Sequence, residues 1–303
     1  MLAAVTLLVA TGTLTITEQI LTWTRPPVAA PGPPLVGDLE FTGAATVAAV
    51  DYLSWDTASR AARQAAMNRA SARNITIDGW DGTGKQWADS PAPIGLARVG
   101  TDRAVVTVRV RVIPFTPVDP AGVAATPPST DVAPNTAAAP GAAAGWTAQP
   151  ARWVNLAVPL ALQDGRIVVT TRPVPVGTPP KDAHPGAAVT GTSTGDAAFA
   201  QSTRDTVTAL LRSYGTGDLG YARASGTGFS GLDKAAVLDS LGDWRVAAVA
   251  DDQDPAVRVG DATVTWVFSG GAGKVTATYR VELRRQDDRW YLASISAESE
   301  EPT

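Results

Sequence analysis

The chain has no cysteine, a single histidine and two methionines. Without cysteine there is no disulfide framework, no thiolate nucleophile and no Cys-based zinc site. His184 has no second His or Cys with which to share a metal, and its Pro/Gly surroundings do not fix it as the base of a Ser-His-Asp triad. Lysine occurs only at Lys85, Lys181, Lys234 and Lys274, and 25 basic against 29 acidic residues leave a formal charge of -4 and a pI near 5.1. With no basic patch standing out in the sequence, the charge argues against a dedicated nucleic-acid binder and no direct sequence-specific nucleic-acid binding is expected, because phosphate affinity rests on clustered Lys and Arg releasing counterions. Charged residues are only 18% and hydrophobic ones 45%, which allows buried cores, while 28 Gly and 23 Pro require long stretches outside them. At 303 residues and 31.2 kDa, two medium cores are expected in place of one.

From Leu2 through Thr17 no side chain is charged, and Leu7, Leu8, Val9, Leu14, Ile16, Ile20, Leu21 and Trp23 carry the apolarity forward. The run approaches the roughly 20 residues that a bilayer core requires. Its threonines can hydrogen-bond their own helix backbone in lipid and so weaken the span less than their polarity implies. Residues 1–24 are therefore expected to form a single transmembrane anchor, with Trp23 and Arg25 at the interface and the lipid bilayer as the first partner. No A-x-A cleavage site precedes the next segment, which favours retention. Arg25 to Pro34 reads R-P-P-V-A-A-P-G-P-P, a polyproline-type spacer; it is assigned to 25–39 and holds the remainder of the chain off the membrane.

Phe41, Ala44, Ala45, Ala48, Tyr52 and Trp55 follow the i, i+3, i+4, i+7 stripe of an amphipathic helix, which Arg60, Arg63 and Arg69 extend as a polar side. A strand with period two follows, with Val106, Val108, Val110 and Val112 on one face against Thr107, Arg109 and Arg111 on the other. Val154, Leu156, Val158, Leu160 and Leu162 alternate likewise, and Asp164-Gly165 turns the chain into Ile167, Val168 and Val169 as a hairpin of type I′. Pro159 inside the first arm points to an edge or a bulge. Residues 117–150 form an Ala/Pro/Gly/Thr tract too poor in large apolar side chains to offset its ordering entropy, so a disordered insertion is expected there. A first domain over 40–176, a linker over 177–194 and a second domain over 195–299 complete the division. The second domain opens with a helix from about Ala197 to Tyr214, continues with short helical pieces around Leu232 to Leu241, and ends in strands from Trp244, Val257, Lys274 and Arg289. In both domains a helix precedes a one-sided antiparallel sheet. The expected class is α+β, with helices packed in the concave face of a curved sheet.

Each candidate chemical motif fails on its context. Gly79 to Lys85 nearly matches a phosphate-binding loop, but Gln86 stands where the magnesium-ligating hydroxyl belongs, and Pro91 and Pro93 occupy the expected helix start. Gly215-Thr-Gly217-Asp-Leu-Gly220 matches the dinucleotide fingerprint but follows a helix where a strand is needed, so it reads as a helix C-terminal turn. Asp251, Asp252 and Asp254 lack the spacing and distal Glu of a calcium loop and are followed by Pro255. Trp244, Trp266 and Trp290 fall at strand positions and read as core or interface anchors. No catalytic residue, cofactor site or metal site is assigned, and no enzymatic activity is expected.

An anchor from Leu2 to Trp23, the Tyr52-Leu53-Ser54-Trp55 segment closing a helix that starts at Phe41, and the strand from Val105 to Val112 together resemble the conjugative transposon protein TcpC family. Ala151-Arg152-Trp153 through Pro159, Asp164-Gly165-Arg166 and the closing Asp288-Arg289-Trp290 extend the resemblance over nearly the whole chain. It implies two tandem nuclear transport factor 2-like domains outside the cytoplasm, on a single-pass anchor in the cell membrane. It also implies a structural subunit of a Gram-positive conjugation channel of the type IV secretion kind, with other channel proteins and further copies of itself as partners. An Mce-associated or other envelope accessory protein shares the anchor and a similar fold, usually with one such unit. A small-ligand binder using the conical pocket of the fold, with a buried Asp and Tyr as in ketosteroid isomerase-like proteins, is the third alternative.

Overall fold

The computed structural model describes residues 37–118, 145–179, 195–249, 254–271 and 273–297. The anchor residues Leu7, Leu8, Val9, Leu14, Ile16, Ile20, Leu21 and Trp23 lie outside them. Among the described residues no helix is long and apolar enough to cross a membrane.

Helix α1 (Asp38–Leu53) buries Phe41, Ala45, Ala48, Ala49, Tyr52 and Leu53, the stripe expected from the sequence, and carries Asp38 and Glu40 in its first turn where they complement the positive end of the helix dipole. It does not continue to Arg69. Ser54 is extended, Trp55 and Asp56 form a short strand β1, and Asp56 caps a 3₁₀ turn by accepting from the Ala58 amide at 2.9 Å. Only then does α2 (Arg60–Ala70) begin. The break turns Trp55 inward, where it packs on Phe268 at 5.8 Å between ring centroids.

The first sheet is antiparallel in the order β1, β2 (Lys85–Arg98), β3 (Arg103–Pro117), β5 (Arg152–Gln163), β6 (Arg166–Val169), with β4 (Trp146–Ala148) on β3 and β7 (Val174–Val176) on β5. Val106, Val108, Val110 and Val112 are buried as their alternation requires. Strand β2 has no counterpart among the elements expected from the sequence. It pairs with β1 only at Lys85 and Gln86, so most of its outer side is a sheet edge, and bulges between Asp89 and Ala92 and between Pro93 and Gly95 absorb the prolines. Pro159 solves the same problem differently. It falls at the gap between the segments of β5 that pair with β6 and with β7, and its carbonyl accepts from the Thr170 amide at 3.1 Å.

The tract 117–150 is also corrected at both ends. Pro117 closes β3, and Trp146, Thr147 and Ala148 pair with Pro117, Thr116 and Phe115, so the described end of the tract is a strand. Residues 119–144 lie outside the described residues. These pairings use backbone groups alone, which a pattern of side-chain hydropathy does not report.

Helix α3 (Ala197–Thr216) starts with Asp196 accepting from the Phe199 amide and ends on Gly217 at φ 83. The second sheet runs β11 (Arg289–Ala297), β10 (Lys274–Gln286), β9 (Val257–Phe268), β8 (Ala236–Val246), each antiparallel to its neighbour. Strand β8 replaces the helical pieces expected around Leu232 to Leu241. Two bulges, between Leu238 and Ser240 and between Leu241 and Trp244, shift its inward positions to Ala236, Leu241, Trp244 and Val246 and so erase the period of two. The described residues belong to one compact unit, and most of their buried apolar side chains form one core cluster drawn from both sheets.

Candidate functional site

The two halves are joined by β7 and the residues after it. Tyr279 and Tyr214, both fully buried, face this segment from the second half: the Tyr279 hydroxyl donates to the Pro175 carbonyl at 2.7 Å, and the Tyr214 hydroxyl accepts from the Gly177 amide at 3.0 Å. Ser230 Oγ donates to the Thr178 carbonyl at 2.9 Å, and a Cβ on Gly177 would land on the Ser230 carbonyl oxygen. The linker assigned to 177–194 is thus packed chain at its start; residues 180–194 lie outside the described residues. A second seam forms where β11 ends. Beyond Tyr279 the outer side of β10 is no longer covered by β11, and Gly79 to Asp81 takes it over. The Thr276 amide donates to the Gly79 carbonyl at 2.8 Å, and the Asp81 amide donates to the Lys274 carbonyl at 3.0 Å.

These seams decide the fate of the sequence motifs. The near phosphate loop at Gly79 to Lys85 is an edge-pairing turn whose Lys85 forms an ion pair with Asp56 at 3.2 Å. In the near dinucleotide motif, Gly217 holds the left-handed helix cap, and Asp233 stands where a Cβ there would project. His184, Asp251 and Asp252 lie outside the described residues, and Asp254 caps the Ala256 amide at 2.8 Å. Among the described residues no group of three or more His, Asp or Glu could hold a metal ion.

The interior of each half is filled by side chains. In the second, Trp266, Tyr214 and Tyr279 stand 6.2 to 6.4 Å apart between ring centroids, tilted or edge-on. In the first, Arg63 is buried at 6% exposure among Tyr52, Trp55 and Trp80, its carbon 5.4 to 5.8 Å from each ring. It donates through two nitrogens to Asp78 and through a third to the Asp51 and Ser54 carbonyls. Sequence reasoning assigns Arg63 to a polar helix face; with Asp78 fifteen positions away in no recognisable motif, nothing in the sequence signals the pair. The Tyr52 hydroxyl is buried without a hydrogen-bond partner, and the backbone of Gly79 closes over it. Burial raises the phenol pKa of Tyr52, Tyr214 and Tyr279 alike.

A cleft of about 340 Å³ lies between the halves, bounded by β3 and β5 on one side and by the turn before β8 on the other. Arg109, Arg152, Trp153, Asn155, Asp233 and Lys234 line its polar part. Trp153 stands on the outward face of β5 at 47% exposure with the Arg109 guanidinium 5.2 Å from its ring. Lys234 is presented by a tight turn in which Asp233 and Lys234 both have positive φ, held by the Lys234 amide donating to the Gly215 carbonyl at 3.0 Å.

No family model and no curated protein matches the chain. Among solved structures, one described as an "Ntf2 like protein involved in plasmid conjugation" aligns over 84% of this chain and 94% of its own at 13% identity, with a TM-score of 0.33. A likeness of that size leaves the mixed helix and antiparallel sheet architecture to rest on this chain's own geometry.

Proposed function

We propose that the chain is a non-enzymatic structural subunit of a conjugative DNA-transfer channel, held at the cell membrane and acting through its surfaces. The observation that carries the non-enzymatic part is the filled interior. Trp266, Tyr214 and Tyr279 occupy the second half's concave space, and Arg63 with its aromatic neighbours occupies the first, so these side chains take up the interior positions where a substrate would otherwise sit. The same packing weighs against a small ligand held in the conical interior of either half. The halves are also joined at two seams, by tyrosine hydroxyls on Pro175 and Gly177 and by main-chain bonds between Gly79 to Asp81 and β10, which suits a rigid spacer that transmits no large domain motion. The conjugation part rests on the sequence resemblance, with its anchor, Pro-rich spacer and two helix-first antiparallel units. Partners are then other channel proteins and further copies of this chain.

A mating assay with membrane fractionation tests the reading. Removing residues 2–23 or 195–299 is expected to abolish DNA transfer, whereas His184→Ala, Lys85→Ala and Asp252→Ala leave it near normal. Normal transfer without the anchor, or a strong defect from one of these polar substitutions in a stably folded protein, overturns it. A reporter fused after residue 299 is expected to be active only outside the cytoplasm.

A further inference from the structure

The cleft between the halves carries an unbalanced charge. Arg109, Arg152 and Lys234 converge on it, with Asp233 the only acidic side chain among its lining residues. No described carboxylate forms an ion pair with any of the three, although elsewhere on this acidic chain arginine and lysine pair repeatedly, as in Arg111 with Asp89 and Lys274 with Asp239. Arg152 Nε is buried without a hydrogen-bond partner. A guanidinium nitrogen withdrawn from water without an acceptor is costly, and an anion near the same guanidinium offsets part of that cost. The lining also includes apolar residues, Val154, Pro175, Val176 and Ala236. Trp153 offers a flat, half-exposed ring whose other neighbour is already a cation.

We infer that this cleft is a docking site for an acidic peptide segment of a partner protein, its carboxylates held by Arg109, Arg152 and Lys234 and an apolar residue set against Trp153 and the Val154 to Val176 wall. Arginine forks match carboxylates in two-point hydrogen bonds, and a ligand with both an apolar body and carboxylates uses both parts of the lining. A volume of about 340 Å³ stands at the small end of ligand-sized cavities, which suits a short segment. Nucleic acid fits less well. Its affinity grows with the number of phosphates neutralised, and three cations beside Asp233, on a chain of formal charge -4, neutralise few.

The docking site rests on the reading of the chain as one that holds other proteins. Its test is calorimetric titration of the full chain at low salt with a capped Glu-Glu-Leu-Glu-Glu peptide, the same peptide with Gln for every Glu, and a short oligothymidylate. Saturable binding of the Glu peptide alone is expected, weakened roughly ten-fold by Arg152→Gln or Arg109→Gln and unchanged by Arg284→Gln, which lies outside the cleft. Arg109 and Trp153 are exposed, so Arg109→Gln and Trp153→Ala keep the measurement decisive if Arg152→Gln fails to fold. Absence of binding, equal binding of the Gln peptide, indifference to the cleft substitutions, or tighter binding of the oligothymidylate each overturns the proposal. A chain that binds the Glu peptide yet supports no DNA transfer overturns the conjugation role and leaves the cleft standing.

Discussion

Tyr279→Phe is the sharpest probe of how the halves are held. The hydroxyl donates to the Pro175 carbonyl at 2.7 Å, and the ring is at 0% exposure, packed edge-on to Trp266 and Tyr214. Phenylalanine keeps the ring and its contacts and removes only the donor. The loss then has two parts, the net value of a hydrogen bond at about 1 kcal/mol and the stranding of a buried carbonyl at about 1–3 kcal/mol. Since water cannot reach Pro175 through the intact ring, we expect roughly 1.5–3 kcal/mol of destabilisation in urea titration. For a folded unit of this size that corresponds to a melting temperature lower by about 4–10 °C. Tyr214→Phe removes the acceptor of the Gly177 amide two residues further on and should cost a similar amount. The double substitution should cost less than the sum, because both hydroxyls hold the same short segment and its release is a single event. Unfolding followed by circular dichroism and by tryptophan fluorescence should coincide in every variant, as one shared core requires. A loss below about 0.5 kcal/mol for Tyr279→Phe, or two separated transitions in the native chain, refutes the clasp.

Arg63→Met should destabilise by about 3–5 kcal/mol because it strands the largely buried Asp78 carboxylate without its cation, while Arg63→Met with Asp78→Leu should recover much of the loss; chemical denaturation of both variants decides it. Gly177→Ala should cost more than about 2 kcal/mol because its Cβ meets the Ser230 backbone, whereas Gly43→Ala, in open space on α1, should gain about 0.5–1 kcal/mol, as paired urea midpoints would show. Burial raises the Tyr52, Tyr214 and Tyr279 phenols above their ordinary value, so above pH ~10 the unfolded chain releases protons that the folded chain retains. That stability is complete below pH ~10 and falls above it, by up to about 1.4 kcal/mol per pH unit for each tyrosine. Urea midpoints across alkaline pH should show the fall, and Tyr279→Phe should make it shallower.

Along the sequence, regular periodicity was enough to assign the elements that have it. The α1 stripe from Phe41 to Tyr52, the β3 valines, the Asp164-Gly165 hairpin, α3 with its Gly217 cap, and the long strands β9 and β10 are all readable, because one face of each is buried and hydropathy then repeats with the period of the backbone. The elements missed are those whose period is interrupted. Bulges in β2 and β8 shift the inward face by a residue, and β4 is fixed by its hydrogen bonds to Phe115 through Pro117. Failure of the chemical motifs was also legible, since Gln86, Pro91 and the helix before Gly215 contradict them in the chain itself. The arrangement of Arg109, Arg152, Trp153 and Lys234 around one cleft was not, nor were the bonds from Tyr279 and Tyr214 to Pro175 and Gly177. The two tyrosine bonds join positions 104 and 37 residues apart, and no local pattern encodes them. They exist only because the two halves share a core, and the strand that leaves the first sheet is gripped by one tyrosine from α3 and one from β10.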